Sequence, residues 1–227
     1  MTFKEFIREL NGQGVEGELV KAMLYSALAS FTFLVTLYFL KFKNIEEFIP
    51  KYGFFLFFTA LTYALLMPTV RQVRSYKELP CMSGMMVGMT TGMIAGFLPG
   101  FYVASTNGMF AGSVFGMAVG IFFGIWNGKC CGIMGSMEGI MAGFMGGLMG
   151  AMTAFMLLND NLKATAVIVF VISAIIIFGL NYMVYKEMKG ADRKSRQDNL
   201  VTFFITVALI AVTTWLIVFG PRSAIFS

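Results

Sequence analysis

The sequence predicts an all-α membrane protein: a polytopic bundle of about seven transmembrane helices with a Gly-rich, GxxxG-packed core of three helices. Three observations carry this reading. The chain of 227 residues is 58% hydrophobic and only 13% charged, where a soluble domain is usually about 25% charged. Apolar runs of the length needed to cross a bilayer, about 20 residues each, recur along it. From Gly84 to Gly132 every fourth residue is glycine except Ala104, and the spacing resumes one residue out of phase at Gly135, Gly139, Gly143 and Gly147. In water each interior glycine costs a helix about 1 kcal/mol relative to alanine. In lipid the backbone must satisfy itself, so apolar segments are helical despite poor propensity. Small residues four apart then let two helix backbones approach closely.

The first 18 residues mix Lys4, Glu5, Arg8, Glu9, Glu16 and Glu18 with few apolar positions and do not read as a signal peptide. Thr2 and Glu5 match a capping box, and Phe3, Phe6, Ile7 and Leu10 share one helical face. A short amphipathic helix on the membrane surface is expected there, with a frayed terminus as the alternative. Residues 19–227 form one transmembrane domain, with spans near 19–42, 52–70, 82–104, 109–126, 134–158, 164–185 and 200–219. The first, second, sixth and seventh carry Phe, Leu, Ile, Val and Tyr and suit a lipid-facing shell. The third, fourth and fifth hold the glycine stripes and form the core. The link 105–108 is so short that the third and fourth spans must make a tight hairpin, in which Asn107 and Gly108 both tolerate positive φ.

Orientation follows from Lys and Arg. With the N-terminus in the cytoplasm, twelve of the seventeen basic residues fall on the cytoplasmic side and five (Lys41, Lys43, Lys51, Lys163, Arg222) outside, which puts the C-terminus outside. The net charge of +5 is accounted for by these loops and calls for no nucleic acid.

The chain has no His, which removes the commonest general base and a common metal ligand. Glu138 is the single acidic residue inside a span, at a helix start where it also complements the helix dipole. No nucleophile elbow, P-loop or dinucleotide fingerprint is present, so the protein is not expected to be an enzyme. Sulfur is abundant instead. Fourteen of nineteen Met lie between Met82 and Met156. Met85, Met89 and Met93 form a ladder on the third span. Met137, Met141 and Met145, continued by Met149, Met152 and Met156, form another on the fifth. Each is expected on a face beside the glycine stripe of its own helix. Thioethers are neutral at any pH and select soft ions such as Cu(I) over hard cations. Cys81, Cys130 and Cys131 fall at one end of both ladders, on the expected cytoplasmic side, where thiols stay reduced. Against this, Met is also a flexible filler of irregular gaps, and the cysteines read equally as small hydrophobes at helix ends or lipidation sites.

The motif chemistry resembles that of the small eukaryotic copper transporters, which pair a Met-x-x-x-Met in one span with Gly-x-x-x-Gly packing in another. Here Met85–Met89 and Gly84–Gly88 match in type, within one span. The span count differs, and a Met-rich outer tail is missing. The sequence thus predicts an integral membrane protein that binds or transports a soft metal ion, most simply Cu(I), through facing Met ladders. The competing prediction is a non-catalytic assembly protein, as a homo-oligomer or a subunit of a larger membrane complex, whose Gly and Met only pack helices. A third is a channel or transporter for another small solute, using Thr90, Thr91, Ser113 and Thr153. The lipid bilayer is the expected surrounding in every case.

Overall fold

A computed structural model describes residues 15–39, 52–76, 80–129, 132–188 and 199–221. Among these it contains seven helices long and apolar enough to span a membrane. They are α1 (Val15–Leu37), α2 (Phe54–Ser75), α3 (Cys81–Asn107), α4 (Met109–Gly128), α5 (Gly132–Met156), α6 (Leu162–Glu187) and α7 (Asn199–Phe219). The spans read from the sequence fall on these helices, with ends that differ by a few residues. The expected amphipathic segment and the pair Cys130 and Cys131 lie outside the described residues.

The contacts among α3, α4 and α5 are by far the most extensive in the molecule. They are built almost wholly from glycine. A methyl group added to Gly96 would sit 2.8 Å from the Gly143 carbonyl and 3.2 Å from that of Gly116. One added to Gly120 would sit 2.8 Å from both the Gly96 Cα and the Gly143 carbonyl. The same pattern repeats along the axis. Gly88 meets Gly128 and Gly135, Gly92 meets Gly124 and Gly139, and Gly100 meets Gly116 and Gly147. The three stripes therefore stack as successive layers, each made of one glycine from each helix. α3 and α5 run parallel, and α4 runs against both. At the next level up, Gly112 packs on Ala104, and Ala151 is fully buried. The one non-glycine of the stripe thus sits where the hairpin begins to close. The phase slip falls in the first turn of α5, between Gly132, which has no neighbour within 4 Å of an added methyl, and Gly135, where the stacking begins.

The remaining helices do not encircle this trio, contrary to the expected shell. α3 is shared: its other side packs on α2, α6 and α7. α1 lies beyond, against α2 and α7. α5 makes its substantial contacts only with α3 and α4. The inner face of α5 is glycine and alanine, held at backbone contact with two neighbours, and the opposite face is left uncovered.

The hairpin between α3 and α4 is tighter than expected. Gly108 alone links the helices, with φ 113°. Asn107 stays inside α3, buried, and its side-chain amide donates to the Leu216 carbonyl of α7. Only the glycine needs the positive φ.

Candidate functional site

The Met ladders occupy the uncovered side of the trio. On α5 each of Met137, Met141, Met145 and Met149 follows a stripe glycine by two residues, or about 200° around a helix. They therefore project from the face opposite the glycines, not beside them. Met141 and Met145 expose 60% and 53% of their surface. On α3 Met85, Met89 and Met93 follow their glycines by one residue, about 100° round, and do lie beside the stripe. Met89 is 52% and Met93 37% exposed, while Met85 is half-buried. The glycine layers put Gly88 level with Gly135 and Gly92 with Gly139. Met89 and Met93 are accordingly at the height of the first turns of α5, near Met137 and Met141. Beyond that level the α5 ladder continues alone through Met145, Met149, Met152 and Met156, all exposed.

The axis of the trio holds no lumen. Main-chain atoms of three helices fill it at each glycine layer. Ladders facing one another across an internal path are therefore not what the fold builds; thioethers on the outer surface are. Cys81 opens α3 at the same end as Met82 and Met134 and is exposed, as both of those are. Glu138 is exposed near the start of α5. Among the described residues no three Cys, Asp or Glu side chains cluster in a way that could hold a metal ion.

The outer face of α5 differs in kind from that of α6. The exposed large apolar residues of α6 are Val167, Ile168, Val171, Ile172, Ile175, Ile176 and Phe178. Those of α5 are seven Met with Ile133, Phe144 and Phe155. Both are apolar surfaces of one protein in one bilayer, so contact with lipid alone does not account for the difference.

The polar contacts between helices lie elsewhere. Asn127 Nδ2 donates to Thr91 Oγ1 at 3.1 Å and ties α4 to α3 beside the Gly88 and Gly92 layers. Gln72 Nε2 donates to the Asn181 carbonyl at 3.1 Å, joining α2 to α6. Ser83 donates to Glu187, joining α3 to α6. The Arg74 guanidinium stands 4.6 Å from the Trp126 ring centroid, a cation–π contact between α2 and α4. Of the hydroxyls singled out in the sequence, Thr91 and Ser113 are buried, while Thr90 and Thr153 are half-buried. The larger set was missed. Thr59, Thr62 and Thr69 on α2, with Thr202, Thr206 and Thr213 on α7, are all buried. Their spacing of three, four or seven residues was the available signal, since such residues share one helix face. Comparison with protein-family models, with curated proteins and with solved structures finds no match.

Proposed function

We propose that this integral membrane protein binds a soft monovalent metal ion, Cu(I), on the thioether face of α3 and α5. The single observation that carries the reading is the contrast between two exposed apolar faces, Met on α5 and Ile, Val and Phe on α6. Thioethers at i and i+4 on a helix are neighbours, so Met137, Met141 and Met145 offer successive soft sites up one face. Met89 and Met93 add sulfur at the height of the lower ones. Cys81 at the same end, with Cys130 and Cys131 close by in sequence, supplies ligands that must lose a proton before they bind. A cytoplasmic position for this end, from the charge distribution, makes it the place where ion is received or released.

The test is anaerobic titration of the purified protein with Cu(I) or Ag(I). Replacing Met89, Met93, Met141 and Met145 by Leu conserves volume and hydrophobicity. Sharply weaker binding by that variant, with unchanged melting in the absence of metal, is the expected result. Equal binding by parent and variant, or none by the parent, would remove the metal. A change in oligomeric state alone would favour the second reading, an assembly subunit whose Met face packs on another membrane helix.

A further inference from the structure

Glu138 is the single charged residue on α3, α4 and α5. It is exposed, and its carboxyl group has no ion pair or hydrogen bond among the described residues. The helix dipole does not account for it. α5 starts at Gly132, its first turn holds no acidic residue, and the effect of the dipole fades within that turn. The place of Glu138 follows from the helix register. A methyl added to Gly146 of α5 would meet the Met93 main chain of α3, and one added to Gly150 that of Phe97. Both helices advance four residues between these contacts. The glycine layers keep the same step from Gly88 and Gly135 up to Gly100 and Gly147. Two further steps down set buried Ala142 against Met89 and Glu138 against Met85. Methyls added to Gly139, Gly143 and Gly147 would meet α4 instead. Glu138 therefore ends the stripe of α5 that faces α3, at the mouth of the crevice between the two helices. Met134 and Met141 flank it on α5, four residues before and three after. Met89, Met134 and Met141 are exposed, and Met85 is half-buried. The one carboxyl group stands among thioethers of both helices.

A lone carboxylate and a lone monovalent cation are each costly in a membrane, and side by side they offset one another. Thioethers bring no charge, so an ion held by sulfur alone keeps its full positive charge wherever it sits on a ladder. Further up, beside Met145, Met149 and Met152, no charged residue of α3, α4 or α5 offsets it. Resting on the Cu(I) binding put forward above, we propose that Glu138 is the counter-charge of the metal site. It fixes the tightest site at the Cys81 end of the crevice, between Met85 and Met89 of α3 and Met134 and Met141 of α5. The carboxylate stays outside the sulfur shell and acts through its charge, which makes it a positioning residue. The methionines further up bind more weakly.

Anaerobic Ag(I) titration of the full chain in nanodiscs tests this, with the parent, Glu138→Gln and Glu138→Asp side by side. Gln keeps the size and loses the charge. It should weaken the tightest site by about tenfold or more, since a unit charge a few ångström away contributes at least that much near a protein surface. Asp keeps the charge and should restore most of the affinity. Melting without metal should be alike in all three. Equal affinity of the parent and Glu138→Gln would overturn the counter-charge and leave metal binding by thioethers intact. No binding by the parent would remove the metal reading itself, and this site with it. Should Glu138→Gln fail to fold, the parent decides alone. Bound Ag(I), but not Na⁺ at the same concentration, should protect Glu138 from a membrane-permeant carbodiimide. Labelling that Ag(I) leaves unchanged would overturn the proposal.

Discussion

At the residue scale, the glycines of the trio differ sharply in what they tolerate. A methyl group at Gly96 or Gly120 meets main chain of both neighbouring helices at 2.8 to 3.2 Å, and backbone cannot swing aside as a side chain can. Gly96→Ala and Gly120→Ala should each destabilise by about 1–3 kcal/mol, the usual cost of overpacking. Gly179 in α6 has nothing within 4 Å of its added methyl, so Gly179→Ala should be neutral or slightly stabilising. Thermal unfolding in one detergent, with all three variants side by side, checks this. Equal loss at all three positions would contradict the layered core. Gly108 is constrained differently, by its φ of 113°. Gly108→Ala should cost about 1–3 kcal/mol through backbone strain, which the same melting experiment reads.

The elements show where sequence reading succeeds and where it stops. Each span is local information: about 20 apolar residues must be a helix in lipid, and all seven fall where hydropathy puts them. That the three glycine stripes belong together was also legible, because only close packing gives them a use. Their stacking into three-glycine layers was not, since register depends on how the α3–α4 and α4–α5 connections set one helix against the next. The outward aim of the α5 ladder was present in the sequence, in the two-residue step from Gly139 to Met141 and from Gly143 to Met145. Whether an outward face meets lipid or another helix is tertiary information, and the expected shell failed on it. α2 was misjudged for a related reason. Its Phe and Leu suggest lipid, yet Thr59, Thr62 and Thr69 turn inward, and it is the most buried span in the bundle. At this scale the account predicts that Met141→Leu, Met145→Leu and Met149→Leu together leave the metal-free melting temperature within about 1 °C per substitution, since exposed positions contribute within about ±0.5 kcal/mol each. A large loss would mean that the ladder is packed against something in the folded protein.

For the whole molecule, the described helices form two lobes that share α3. One is a glycine core with methionine on its outside, and the other is an aromatic and hydroxyl-rich bundle of α1, α2, α6 and α7. Orientation in the membrane rests on charge alone. A cysteine introduced near Arg193, between α6 and α7, should resist an impermeant thiol reagent in intact cells, and one near Lys51 should react. Labelling only near Arg193 would invert the topology. The central claim, that thioethers on the outer face of α3 and α5 hold Cu(I), is met most directly by X-ray absorption at the copper edge of protein loaded anaerobically. With no His in the chain, the account predicts a first shell of sulfur alone. That shell should persist when Cys81, Cys130 and Cys131 are all replaced by Ser, and the copper held per protein should fall sharply when Met89, Met93, Met141 and Met145 are replaced by Leu. A shell of nitrogen or oxygen, or copper loading that loss of these methionines leaves unchanged, would contradict it.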